Sequence, residues 1–145
     1  MAVGGWAVDF HLGRVTRPHS DIDLILNLED RWGLRHLLVQ EAVVVTRTDE
    51  AGGIEWFERD DERIEITYIM KSNDGSLVTP GYESWPWPED SFPEEKVALG
   101  GITVRAVSVA GLLDMKSNWL ENLGEKPRPH DVADVEALQS KLGGG

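Results

Sequence analysis

The chain has no cysteine among its 145 residues, which excludes disulfides, thiolate zinc sites and cysteine nucleophiles and fits a reducing cytoplasm. Basic residues are scarce: 14 Lys and Arg stand against 26 Asp and Glu, giving a formal net charge of −12. A surface of that sign repels DNA, RNA and anionic lipid unless a basic patch is segregated, and the sequence holds no such run. No nucleic-acid partner is expected. An acidic balance suits neutral or cationic small molecules, and selection for solubility alone also produces it. No stretch approaches the roughly 20 apolar residues of a membrane span, so no membrane partner is expected. Met1 to Trp6 carry neither a basic segment nor a long apolar one, and a cytoplasmic location is expected over a secretory one. Repeats and low-complexity tracts are absent apart from Gly143-Gly144-Gly145, which reads as a frayed end.

What is present is an ordinary globular composition, 41% hydrophobic, in a length that suits one domain. Gly4-Gly5, the apolar stretch Trp6 to Leu12 and Gly13 predict a turn, a short helix and a glycine C-cap. Asp21 to Leu26 alternates acid with aliphatic, as a strand with one buried face does. Glu29 to Glu41 places Leu34, Leu37, Leu38 and Glu41 at helical spacing, with Gly33 weakening the helix. Val43 to Thr46 and Ile54 to Glu58 read as short strands around a Gly52-Gly53 turn. In Arg63 to Met70, Ile64, Ile66, Tyr68 and Met70 share one side, while Glu65, Thr67 and Ile69 share the other. Asn73 to Glu95 is irregular and rich in Pro, Gly, acids and aromatics, the composition of a lid or binding loop. Val97 to Val107 predicts a hairpin turning at Gly100-Gly101. Ser108 caps a helix reaching about Trp119. Asp131 caps a final one, with Val132, Val135 and Leu138 near one face and Leu142 a turn further. A mixed core, residues 1–107, is thus followed by a helical segment, residues 108–145, packed on the same domain.

The informative residues lie between Gly4 and Leu24. Residues two apart on a strand project from one face, so Asp21 and Asp23 point the same way while Ile22 and Leu24 point into the core. Two such carboxylates repel unless a cation sits between them, and Mg²⁺ prefers carboxylate oxygens together with NTP phosphates. By itself an acid pair also reads as a solvated strand end. Gly4 and Gly5 lack Cβ atoms and let a phosphate approach their amides, and the helix that follows offers free N–H groups to an anion. Arg14 and Arg17 can reach a triphosphate, neutralise the carboxylates, or lie in solvent.

This segment resembles the signature of antibiotic nucleotidyltransferases of the DNA polymerase beta superfamily, the lincosamide and aminoglycoside nucleotidyltransferases. The matching pattern is Gly4-Gly5-Trp6, Asp9 three residues on, Gly13-Arg14, Thr16-Arg17-x-His19 and Asp21-Ile22-Asp23. The resemblance implies an α+β nucleotidyltransferase fold, a mixed and mostly antiparallel sheet flanked by helices with a short C-terminal helical tail. It implies Mg²⁺ on Asp21 and Asp23, with Glu65 completing the metal site or accepting the acceptor's proton. Glu65 stands where the family usually has Asp, one methylene shorter. Gly4, Gly5, Arg17, His19 and Lys116 are the implied nucleotide-binding residues. For His19 a loop-positioning hydrogen bond is the alternative, and for Lys116 a solvated helix face. The run Trp85-Pro86-Trp87-Pro88-Glu89-Asp90 offers aromatic faces beside acids, suited to a cationic or sugar-bearing acceptor or to a packed loop.

The implied activity is transfer of a nucleoside monophosphate, AMP first among them, from ATP or another NTP to a hydroxyl of a small molecule, with release of pyrophosphate. A lincosamide or aminoglycoside acceptor makes this an antibiotic-resistance enzyme. Alternatives are a protein or RNA acceptor, as in toxin-like members, or a nucleotide-binding module without catalysis. Relatives carry a helix and most of a strand before the Gly-Gly turn, where this sequence has Met1-Ala2-Val3. Relatives of this size build the acceptor site across a dimer, so a homodimer is expected.

Overall fold

The computed structural model describes residues 1–119, 121, 124 and 126–144. The chain begins with β1 (Ala2–Val3) and α1 (Gly4–Leu12), then β2 (Asp21–Asn27) and, past a 3-10 turn at Leu28–Asp30, α2 (Arg31–Gln40). Strands β3 (Val44–Thr48), β4 (Ile54–Arg59), β5 (Glu62–Lys71) and β6 (Leu77–Val78) follow. The hairpin β7 (Lys96–Leu99) and β8 (Ile102–Arg105) leads into α3 (Val109–Asp114), a π-helical turn at Met115–Trp119, and α4 (Pro129–Gly144). α4 thus takes in Gly143 and Gly144 of the expected frayed end, and Gly145 lies outside the described residues. Among the described residues no helix is long and apolar enough to cross a membrane. The chain groups into two units, Met1 with residues 19–87 and residues 2–18 with 88–145.

In the first unit the strands run β2–β5–β4–β3, with β6 also on β5. β2 and β5 are parallel and the other pairs antiparallel, the mixed, mostly antiparallel sheet of the expected α+β fold. The β5 alternation is as the sequence predicts. Ile64, Ile66 and Tyr68 meet Phe57 of β4, Leu24 and Leu26 of β2, and Leu34 and Leu38 of α2 in one apolar cluster. Each fully buried large side chain there contributes roughly 1.5–3 kcal/mol. Leu34 and Leu38, four apart, carry α2 onto the sheet despite Gly33, whereas Leu37 is exposed.

β3 starts one residue later than expected, because Val43 belongs to the end of α2. Ala42 adopts φ 59°, its N–H donates to Val39 O at 3.1 Å and that of Val43 to Leu38 O at 2.9 Å. This is a Schellman motif with alanine in the left-handed position, accompanied by burial of Val43 in the apolar cluster against which Leu38 packs. In the loop after β6, Trp87 is buried and its Nε1–H donates to Thr79 Oγ1 at 3.3 Å.

In the second unit, Ala2 bridges Ala106 in parallel, and Val107 N–H donates to Ala2 O at 2.9 Å. α1 begins at Gly4 rather than Trp6, so both glycines lie in its first turn. It ends as expected on Gly13, whose N–H donates to Asp9 O at 2.8 Å. The β7–β8 hairpin turns at Gly100 and Gly101, with φ 57° and 82°, the two positive values a type I′ turn needs. Ser108 Oγ caps α3, accepting from Gly111 N–H at 3.0 Å. α4 starts two residues ahead of the expected Asp131 cap. Pro129 opens it, and Asp131 reaches back to accept from Arg128 N–H at 3.1 Å, one half of a capping box. Ala7, Val8, Val107, Leu112 and Leu138 are fully buried, while Val132 and Leu142 on α4 are exposed.

Candidate functional site

The predicted carboxylates come together in the first unit through strand register. Asp21 pairs with Arg63 and Asp23 with Glu65 along the parallel β2–β5 ladder. Paired residues on adjacent strands project from the same side, and the strands lie about 4.8 Å apart. Asp21, Asp23 and Glu65 therefore share the face opposite the apolar cluster. All three are half-buried. Exposure falls along this face of β5, from exposed Arg63 through half-buried Glu65 to buried Thr67, so the acids stand where the face turns from wet to dry.

Asp21 Oδ1 is buried and accepts no hydrogen bond among the described residues. A buried carboxylate oxygen without a donor is costly unless a cation compensates it, so the residues present fit a divalent ion. Among the described residues, no three acidic or histidine side chains stand close enough to form a complete cation site. Mg²⁺ does not need such a cage. It keeps several waters and binds one or two carboxylates plus substrate phosphates. His19, just before β2, belongs to this unit and is half-buried.

The remaining predicted residues belong to the second unit. Gly4 and Gly5 open α1, whose N-cap residue, Val3, supplies no side-chain cap to the first N–H groups. The segment after α1 is held by Asp9, fully buried, which accepts from Thr16 N–H at 3.2 Å and Thr16 Oγ1 at 2.5 Å. Arg14 is exposed. Arg17 donates through Nη2 to Asp134 Oδ2 at 3.3 Å.

Lys116 is not on a solvated helix face. It is 8% exposed, with Nζ 3.1 Å from Asp131 Oδ1 and 3.0 Å from Asp134 Oδ2. Burial pushes the Asp131 carboxyl up, but hydrogen bonds from Arg128 and Lys116 outweigh it and hold the group well below the usual range. His130 is pushed down by burial and by the charge of Arg128. Arg17 and Lys116 thus meet on one carboxylate, a link that no local spacing in the sequence announces.

A second charged cluster, on the opposite face of the first unit's sheet, escaped the sequence reading. Glu55 is fully buried, bonded to Arg35 and by Thr48 Oγ1 at 2.8 Å and Tyr68 OH at 2.8 Å, with Arg31 Nε at 3.5 Å. Burial alone raises its pKa, and the bonds from Arg35, Thr48 and Tyr68 reverse the sign and keep it ionised. Tyr68 is pushed up by burial and by its bond to Glu55. The Arg31 guanidinium also lies over the Tyr68 ring at 4.6 Å. This cluster fastens α2 to the sheet. Its signal was Arg31 and Arg35 at i, i+4 on a helix facing a strand acid.

Residues 1–138 match the family model described as aminoglycoside-2''-adenylyltransferase. Curated 2''-aminoglycoside nucleotidyltransferases of Escherichia coli and Klebsiella pneumoniae are 35% identical over 111 residues, covering 72% of this chain and 53% of theirs. The chain spans about half the length of these curated relatives. The solution structure of the antibiotic-resistance factor ANT(2'')-Ia matches at TM-score 0.78 and 24% identity, over 99% of this chain and 74% of that one. Its crystal structure in complex with adenylyl-2''-tobramycin matches at TM-score 0.77 and 25% identity, over 99% of this chain and 79% of that one. The lincomycin-bound lincosamide adenylyltransferase LnuA matches at TM-score 0.74 and 18% identity, over 96% and 84% of the two chains, a likeness of fold.

Proposed function

From the premise that the chain belongs to the aminoglycoside-2''-adenylyltransferase family, we propose that it transfers AMP from ATP to a hydroxyl of an aminoglycoside and releases pyrophosphate. The observation that carries this reading is the register that sets Glu65 beside Asp23, with Asp21 on the same face. Asp21 and Asp23 would hold Mg²⁺, which would supply charge neutralisation and Lewis acidity at the α-phosphate. Glu65 accepts the proton of the acceptor hydroxyl, whose oxygen bonds to the α-phosphorus as the bond to the bridging oxygen of pyrophosphate breaks. Its extra methylene reaches further from the strand than Asp does.

In the second unit, the uncapped N–H groups at Gly4 and Gly5 are proposed to receive phosphate oxygens, and Arg17 to add positive charge there. His19 orders the loop that enters β2. Lys116 acts through Asp134, on which it meets Arg17. A cytoplasmic location, where ATP is available, belongs to the same proposal. The homodimer expected from relatives of this size belongs to the same proposal, and light scattering showing only monomer at working concentration removes it.

The test is pyrophosphate release from each NTP with Mg²⁺ across a panel of aminoglycosides, tobramycin included, and lincosamides. Release that requires ATP and an aminoglycoside and disappears in Asp21→Asn supports the proposal. ATP binding without turnover on any acceptor points to a binding module instead.

A further inference from the structure

The carboxylate face of the first unit continues beyond Glu65. Glu65 pairs with Trp56 on β4, and Trp56 pairs with Arg47 on the edge strand β3. One row across the sheet therefore reads Asp23, Glu65, Trp56, Arg47, all projecting from the same side. The half-buried Trp56 ring carries the Arg47 guanidinium on its face, 3.6 Å from the ring centroid. The neighbouring row adds Glu58, whose carboxylate lies 3.5 Å from Arg63.

Two constraints fix what this row can do. Under the proposed reaction the acceptor hydroxyl has to reach Glu65, and the Asp23 side of Glu65 would hold the nucleotide phosphates and their metal. The ring that bears the hydroxyl therefore extends along the row on the other side, over Trp56. An indole face suits the apolar face of a sugar ring, and it attracts ammonium groups through its quadrupole. Arg47 already occupies that position with a cation.

Resting on the nucleotidyltransferase reading, we propose that Trp56 is the acceptor platform beside Glu65. Its ligand class is an aminosugar bearing ammonium groups, which displaces Arg47 from the indole. Arg47 is thereby a specificity residue, a resident cation that the substrate's cation replaces.

Steady-state kinetics with tobramycin and ATP, paired with calorimetric binding of tobramycin alone, test this on the full chain. Trp56→Ala raises the tobramycin KM and Kd about tenfold while the ATP KM stays within twofold, and Trp56→Phe recovers most of the loss. Arg47→Met, at an exposed position where folding is not at stake, lowers the tobramycin Kd by about threefold. If Trp56→Ala fails to fold, Trp56→Phe and Arg47→Met decide. A wild-type tobramycin Kd in Arg47→Met, or a wild-type KM in Trp56→Ala, overturns the platform while wild-type turnover leaves the proposed reaction standing. No binding or turnover of tobramycin by the wild type overturns both.

Discussion

Asp23 and Glu65 are register partners on adjacent parallel strands, so the main-chain ladder that builds the sheet also sets the spacing between the proposed metal carboxylate and the proposed base. The arrangement is rigid because the opposite side of the same strands is core, with Ile66 fully buried. Asp21→Asn and Asp23→Asn each lower kcat/KM by about 10³ in a pyrophosphate-release assay, the scale of losing transition-state charge stabilisation. Glu65→Gln lowers kcat by about 10²–10⁴, the range for a lost general base. Glu65→Asp retains part of the activity, because the carboxylate survives one methylene short. All four keep the wild-type circular dichroism. A Glu65→Gln enzyme with full kcat contradicts the assignment.

Glu55 supports stability and lies on the sheet face opposite Asp21, Asp23 and Glu65. In Glu55→Gln the charges of Arg31 and Arg35 lose their buried partner, and urea unfolding shows a loss of about 3–5 kcal/mol. The ATP KM of the folded variant is unchanged. Arg35→Met costs less, since that side chain is 27% exposed and its desolvation is incomplete. A variant at Glu55 within 1 kcal/mol of wild type contradicts the clamp.

Asp131 gives the fold a pH dependence of definite sign. Its folded pKa lies below that of the unfolded chain, so the folded state binds the proton more weakly. The stability it contributes is complete above the unfolded carboxylate's pKa of about 3.9 and is lost as pH falls below that toward the lower folded value. Unfolding free energies measured from pH 7 to pH 3 decline for the wild type. Asp131→Asn starts lower at pH 7 and declines less steeply. Parallel profiles for the two proteins contradict the depressed pKa.

Ala42 holds the left-handed position that glycine prefers, at φ 59°. Ala42→Gly removes the Cβ strain at that single residue and stabilises the protein by about 0.5–1 kcal/mol, read as a raised urea midpoint with unchanged slope. Destabilisation by this substitution contradicts the Schellman geometry at the end of α2.

Features governed by local rules were legible in the sequence. The Gly13 C-cap, the Gly100-Gly101 turn, the Ser108 cap and the alternation of β5 each follow from a few neighbouring residues and survive in the fold. Period-two geometry likewise put Asp21 and Asp23 on one face. What needed the structure depends on contacts between distant residues. No local pattern pairs Asp23 with Glu65 in parallel, extends that row to Trp56, or buries Glu55 beneath two arginines. Lys116 read as a nucleotide contact or a solvated side chain because its acidic partners come from α4, where Asp131 resembled a simple cap. For Trp87 the sequence left a ligand face and a packed loop open, and the structure buries it with its indole N–H on Thr79.

The face carrying Asp21, Asp23 and Glu65 is proposed to perform adenylyl transfer. Its most direct test is mass spectrometry of an aminoglycoside incubated with the protein, ATP and Mg²⁺, with Asp23→Asn and Glu65→Gln run in parallel. The expected result is one AMP added to the drug by the wild type, none when Mg²⁺ is chelated, and at most a trace with either variant. Unmodified drug in the wild-type reaction, or equal adduct from Glu65→Gln, contradicts it.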